Sequence, residues 1–128
     1  MTALSAETNS LTRDVIGYAI DIHRHLGPGL LESAYEECLC HELKEAGIAF
    51  DRQQRLPVSY KSVHLDCGYR MDIVVAKKLL LEIKSVERLI PIHEAQILTY
   101  LRLSGYRLGL LINFNSVVLK DGIRRFVL

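Results

Sequence analysis

Three charged residues interrupt an otherwise apolar pair of predicted strands, YRMDIVVAKKLLLEIKS at residues 69–85. Asp72 lies in the first strand, and Glu82 and Lys84 lie in the second. Two carboxylates within cross-strand reach can bind a hard divalent cation such as Mg²⁺ through oxygen ligands. Such a cation polarises a phosphoryl oxygen and lowers the pKa of a bound water, and a neighbouring lysine can orient that water and stabilise negative charge. These residue types therefore indicate metal-dependent hydrolysis of a phosphate ester.

The length of the connection between the two strands decides whether the three residues share a face. A three-residue connection, 76–78, places Asp72 opposite Glu82 and puts Lys84 on the same face. A two-residue turn places Asp72 opposite Ile83 and separates the group. The turn contains no Gly or Asn that would supply a positive φ, so the sequence favours neither. The alternative interpretation is a cross-strand salt link on a solvated face, worth about 0–1 kcal/mol.

The elements that must position these residues follow from the hydrophobic pattern. Apolar residues at helical spacing predict three helices, at 10–27, 32–47 and 91–105. Extended segments are predicted at 49–60, 63–76, 79–86 and 106–114, with one or two short strands within 116–128. The order α-α-β-β-β-α-β-β indicates an α/β (α+β) fold in which a mixed sheet packs against helices.

Local signals predict where the ordered chain begins. The first ten residues, MTALSAETNS, have neither the basic nor the apolar region of a signal peptide, and we expect a flexible lead-in at 1–10 and a single domain over 11–128. Ser10 or Thr12 is the predicted cap of the first helix. Ser33 and Glu36 form a predicted capping box at the start of the second.

Composition and charge narrow the class of protein. The sequence contains no run of about 18 apolar residues that would predict a transmembrane helix, so no membrane partner is expected. The three cysteines form no CxxC pair, which disfavours a zinc site and favours free thiols in the cytoplasm. Residues 1–50 hold three basic and eight acidic residues, whereas residues 51–128 hold thirteen basic and seven acidic ones. A basic second half suits a polyanion, although an ordinary mixed surface fits equally well.

Two further features carry polar side chains at defined spacing. GPGLLESAY, residues 27–35, is a glycine-punctuated helix start with Glu32 in or just before the first turn. Gln96 and Tyr100 lie one turn apart on one face of the third predicted helix. Each has an ordinary explanation, because an acid suits the positive end of a helix and a half-buried helix accommodates a Gln and a Tyr.

Taken together, these residues resemble the GxxExxY proteins of the PD-(D/E)xK nuclease superfamily. The motifs that carry the resemblance are Gly29-x-x-Glu32-x-x-Tyr35, Asp72, Glu82-x-Lys84 and Gln96-x-x-x-Tyr100. The resemblance implies a restriction-endonuclease-like αβββαβ core with a mixed β-sheet flanked by helices, which matches the predicted order of elements. Met71 stands where the proline of the superfamily name would be.

The resemblance also implies a function and a role for each residue. Asp72, Glu82 and Glu32 are the implied metal ligands for Mg²⁺ or Mn²⁺, and Lys84 is the implied catalytic lysine. Gln96, Tyr100 and Tyr35 are accessory residues of the site. The implied activity is a metal-dependent nuclease that hydrolyses phosphodiester bonds, with DNA expected ahead of RNA. A homodimer is a separate expectation, because a small core, a basic half without its own recognition domain and short terminal strands would benefit from pairing.

Two other interpretations stay open at this point. One is a non-catalytic module that keeps the nuclease fold and binds nucleic acid or a protein partner. The other is an inert domain whose charges form surface ion pairs. A structure that separates Asp72 from Glu82 would favour the second.

Overall fold

The computed structural model describes residues 5–128 as three α-helices packed on a five-stranded mixed sheet, with a small hairpin beside it. The helices are α1 (Ala6–Leu26), α2 (Glu32–Glu45) and α3 (Pro91–Ser104). The strands are β1 (Phe50–Arg55), β2 (Val58–Tyr60), β3 (Val63–Leu65), β4 (Arg70–Val75), β5 (Leu79–Lys84), β6 (Leu108–Asn113) and β7 (Ile123–Val127). A short 3₁₀ turn, Leu119–Gly122, precedes β7.

The large sheet has the strand order β1-β4-β5-β6-β7. Its central pair, β5 and β6, is parallel and is joined through α3, whereas the other neighbours pair antiparallel. A parallel pair needs a long crossover, and the helix that provides it must cover one face of the sheet. This arrangement confirms the predicted α+β fold with a mixed sheet flanked by helices.

Both faces of the central strands are covered, which explains their nearly continuous apolar sequence. One face, with Leu81 and Ile83, packs against α1 and α2. The opposite face, with Val74 and Leu80, packs against α3. In β5 the only charged residues are Glu82 and Lys84, and by alternation they belong to the face covered by α3.

The two long extended segments predicted at 49–60 and 63–76 each divide into two strands. β1 and β4 join the large sheet, whereas β2 and β3 pair with each other in a separate hairpin. Pro57 lies at the first break and has no N–H to continue a ladder. Gly68, with φ of +72°, lies at the second break.

The first helix begins earlier than the sequence predicts. Its N-cap is Ser5, whose hydroxyl accepts a hydrogen bond from the amide of Thr8 at 3.1 Å, so neither Ser10 nor Thr12 is the cap. Residues 6–10 therefore belong to α1, residues 1–4 lie outside the described residues, and the flexible lead-in at 1–10 stays a prediction. The assignment of 11–128 to one domain stays a prediction. Across residues 5–128, no helix has the length and apolar character needed to cross a membrane.

Candidate active site

The connection between β4 and β5 has three residues. Val75 pairs with Leu79 and Ile73 pairs with Leu81, which leaves 76–78 as the turn. Ala76 and Lys77 adopt left-handed conformations, with φ of +52° and +55°, that non-glycine residues rarely adopt. The amide of Ala76 donates to the carbonyl of Ala49 at 2.8 Å, so the segment that precedes β1 fixes the turn. The longer of the two predicted connections is the correct one.

Beyond the Ile73–Leu81 pair, the two acids replace the regular ladder. The amide of Asp72 donates to Oε2 of Glu82 at 2.8 Å, and the amide of Ile83 donates to Oδ2 of Asp72, also at 2.8 Å. Each carboxylate is therefore bound to the main chain of the opposite strand. This exchange fixes both side chains next to each other on the face covered by α3.

The two carboxyls lie where ionisation is unfavourable. The side chain of Glu82 is only 3% exposed. Burial, together with the negative charge of Asp72, raises the pKa of Glu82 to about 8. Burial also raises the pKa of Asp72, and nearby Glu36 adds to that rise. A buried acid and a half-buried acid that oppose each other's ionisation are a donor set that a divalent cation would stabilise, so the residues present fit such an ion.

Lys84, Gln96 and Tyr100 form a chain of side-chain contacts that connects β5 to α3. Nζ of Lys84 donates to Oε1 of Gln96 at 3.3 Å, and Nε2 of Gln96 donates to the hydroxyl of Tyr100 at 3.4 Å. The positive charge of Lys84 lowers the pKa of both Asp72 and Glu82, although less than burial raises them. Burial and the charge of Glu82 raise the pKa of Tyr100. The structure thus brings these five predicted residues together.

Glu36 is a site residue that the sequence analysis missed. It is 7% exposed, and its carboxylate accepts hydrogen bonds from Nε of Arg52 at 2.8 Å and from Nε2 of Gln53 at 2.7 Å. Nε2 of Gln53 also lies 3.4 Å from Oδ1 of Asp72, which links Glu36 to the acidic pair.

The predicted capping box of Ser33 and Glu36 is wrong. Leu31 is the N-cap of α2 and makes no side-chain capping hydrogen bond, and Glu36 is bonded to β1 instead. The helical pattern could have identified Glu36 as a buried acid, because it lies next to Tyr35 and one turn before Leu39 and Cys40, which are all buried positions of α2.

Glu32 is not gathered with the other acids. It lies exposed on the first turn of α2. Among residues 5–128, no three His, Cys, Asp or Glu side chains lie close enough together to bind one metal ion. The start of α2 is nevertheless tied to the end of β5, because Oγ of Ser85 donates to the carbonyl of Leu30 at 2.5 Å. The role of Glu32 as a metal ligand stays a prediction.

Tyr35 supports the glycine-rich loop that precedes α2. Its hydroxyl donates to the carbonyl of Gly27 at 2.6 Å and accepts from the amide of Leu30 at 3.1 Å. Its ring stacks on Phe114 with centroids 4.4 Å apart. Gly29 has φ of +101°, which a side chain would strain. Tyr35 therefore fixes the loop from inside the core, and the loop in turn contacts Ser85 beside Lys84.

Comparison with known proteins supplies a family. A sequence model described as the PD-(D/E)XK nuclease superfamily matches residues 9–126, which is nearly the whole chain. No curated protein and no solved structure matches the chain significantly.

Proposed function

The chain belongs to the PD-(D/E)XK nuclease superfamily, and we propose that it hydrolyses phosphodiester bonds of nucleic acid with a divalent metal ion held by Asp72 and Glu82. The observation that carries this proposal is the exchange of hydrogen bonds between these two acids and the opposite strands, with Lys84 beside them. A surface ion pair would not require a buried Glu82 beside a half-buried Asp72, with the pKa values of both raised.

The roles of the side chains follow from their chemistry. A bound divalent cation would supply Lewis-acid activation of the phosphate and of the attacking water. Glu82 must be ionised to bind that ion, and at neutral pH its raised pKa keeps it mostly protonated in the metal-free protein. Lys84 offers a fixed positive charge to the phosphate as negative charge develops, and Gln96 orients its ammonium group.

The finer features of the proposal rest on the sequence motifs. We assign the chain to the GxxExxY group, with Glu32 as a third acid that completes the site when metal and substrate are bound. Mg²⁺ or Mn²⁺ is the proposed ion, because oxygen ligands suit both. DNA is proposed ahead of RNA, and a homodimer is retained as a proposal. The free thiols of Cys38, Cys40 and Cys67 support a cytoplasmic location.

The test is a nuclease assay on single- and double-stranded DNA and RNA with Mg²⁺ or Mn²⁺. Lys84→Ala should lower the cleavage rate about 100-fold or more, because it removes the positive charge nearest the acids. Lys44→Ala is the matched control, since that lysine is exposed in the last turn of α2 and outside the site. Binding of nucleic acid without cleavage under every metal condition would favour the non-catalytic module instead.

A further inference from the structure

A cleft of about 360 Å³ opens directly beside the candidate active site, between α3 and the segments that flank the β2–β3 hairpin. It shares Gln96 and Tyr100 with the site and is therefore continuous with it. This volume is in the range of small-ligand sites. The residues that define its walls are Leu56, Tyr69, Ile92, Gln96, Thr99 and Tyr100.

The walls of this cleft are apolar and aromatic although they are open to solvent. Tyr69 is 47% exposed and Ile92 is 65% exposed. The ring of Tyr69 meets the ring of Tyr100 edge-on, with centroids 6.4 Å apart and planes at 66°. The two rings therefore form a corner in which a flat ligand can lie against one ring and meet the edge of the other.

Charge is distributed around the cleft in a way that suits a phosphodiester chain. Lys84 contacts Gln96 at one side of the cleft, 3.3 Å from its amide oxygen. Arg102 lies against Thr99, with Nη2 and Oγ1 3.5 Å apart. Within residues 5–128, no acidic residue lines the cleft. An apolar, aromatic cleft with two cations held against its α3 wall is complementary to one nucleobase and its flanking phosphates.

We propose that this cleft binds an unpaired nucleobase of the substrate next to the phosphodiester that is cleaved, which makes single-stranded nucleic acid the preferred substrate. This inference rests on the proposed function, because it treats the acidic pair as the place of cleavage. A base inside a duplex cannot enter the cleft unless it first leaves the stack, which costs free energy. Stacking on Tyr69 tolerates any base, so no sequence preference is expected.

The experiment measures binding in the Asp72→Asn background, so that cleavage does not interfere. Fluorescence anisotropy compares a short labelled single strand, a series of the same strand with one abasic position each, and the corresponding blunt duplex. Tyr69→Ala should raise the Kd for the single strand about 5- to 150-fold, the effect of losing one stacked base. Tyr69→Phe should bind as tightly as the parent, because the ring is kept.

Two more variants test the cleft without removing the ring of Tyr69 and control for the loss of an exposed tyrosine elsewhere. Ala95 is an exposed residue of α3 that lines the cleft. Ala95→Leu should fill the cleft without removing an aromatic group, and it should weaken binding in the same way. Tyr60→Ala is the control, since Tyr60 is another exposed tyrosine, on β2, that does not line the cleft. It should leave the Kd unchanged.

The abasic series identifies the base that occupies the cleft. One abasic position should weaken binding to the parent protein and should have no further effect on Tyr69→Ala, since the same contact is already lost. Tyr69→Ala binding as tightly as the parent, or a duplex bound as well as the single strand, would overturn the inference even if the wild type is an active nuclease. Conversely, if the protein cleaves no substrate but shows these losses of binding, the cleft remains a base-binding site and the proposed nuclease activity is refuted.

Discussion

The main-chain amide of Asp72 donates to the carboxylate of Glu82 at 2.8 Å, across two antiparallel strands. The reciprocal bond, from the amide of Ile83 to Asp72, means that neither carboxyl can move without breaking its hydrogen bond to the opposite strand. Two acids are thus held together by the sheet itself, and at neutral pH the raised pKa of Glu82 keeps that acid mostly protonated. Such an arrangement costs folding free energy in the metal-free protein and would preorganise the proposed cation site, which is the balance expected at a functional centre.

The first prediction concerns the pH dependence of stability without metal. The pKa of Glu82 is about 8 in the folded protein, against an ordinary value of 4.5. Between these values the folded state holds a proton that the unfolded state has lost, so the free energy of unfolding falls as pH rises. The fall should reach a few kcal/mol, at most about 4, and level off above about pH 8. Thermal unfolding in chelator from about pH 5 to about pH 9 measures it.

Glu82→Gln provides the control for that titration. The amide cannot ionise, so the decline of melting temperature across the same pH range should be much smaller. Equal slopes in the wild type and in Glu82→Gln would assign the titration to another group.

The acidic pair was predictable from sequence, but the geometry that unites it was not. Alternation along β4 and β5 put Asp72, Glu82 and Lys84 on one face once the connection had three residues. Neither Ala76 nor Lys77 signals a left-handed turn, because both residue types avoid positive φ. The contact of Ala76 with Ala49 on a distant segment decides the turn, and local spacing carries no information about it.

Glu36 also shows that local spacing cannot reveal contacts between distant segments. Its spacing from Ser33 fits a local capping box, and a local pattern was enough to suggest one. Its actual partners, Arg52 and Gln53, lie on β1, and only the packing of α2 against that strand brings them together. Sequence reasoning identified the residues whose chemistry is unusual for a strand but missed an acid whose unusual feature is its burial.

The second prediction tests Gln53 as a positioning residue. Nε2 of Gln53 lies within hydrogen-bond distance of both Glu36 and Asp72. Gln53→Ala should lower kcat/KM about 10- to 100-fold, as loss of an outer-shell partner does at metal sites, and should raise the metal concentration needed for half-maximal rate.

Gln54→Ala is the matched control for Gln53. It removes the adjacent glutamine of the same strand, whose side chain contacts the hydroxyl of Tyr106 and not the site. Its kinetics should match the wild type. A similar loss in both variants would show that β1 is merely destabilised, and no change in either would remove Gln53 from the site.

The third prediction tests whether the hydroxyl of Tyr35 stabilises the glycine-rich loop. Its hydroxyl makes two hydrogen bonds to the main chain of the glycine-rich loop, and its ring is fully buried. Tyr35→Phe should lower the free energy of unfolding in urea by about 1–2 kcal/mol, because the amide of Leu30 and the carbonyl of Gly27 lose their partner. Tyr18→Phe, at a half-buried tyrosine for which the described part of the chain provides no hydrogen bond, should change it little. Equal stabilities of the two variants would contradict the supporting role.

The last prediction distinguishes a cation site from a structural ion pair through Asp72→Asn. Asparagine keeps an oxygen that can accept from the amide of Ile83 but removes the charge that faces Glu82. Without metal, the variant should therefore be as stable as the wild type or more stable, because the charge of Asp72, which opposes ionisation of Glu82, is gone. It should also lose cleavage and any stabilisation by Mg²⁺, which for a wild type at one hundred times its Kd is about 2.7 kcal/mol.

Melting curves in chelator and in saturating Mg²⁺ decide between the two interpretations. Asp51→Asn serves as the control, since Asp51 is an exposed acid on β1 and is not among the main charges that shift the pKa of Asp72 or Glu82. It should respond to Mg²⁺ as the wild type does. A surface ion pair gives the opposite pattern, in which Asp72→Asn is less stable in chelator and neither protein responds to Mg²⁺. That result would reduce Asp72 and Glu82 to a pair of acids that only close the end of a hairpin.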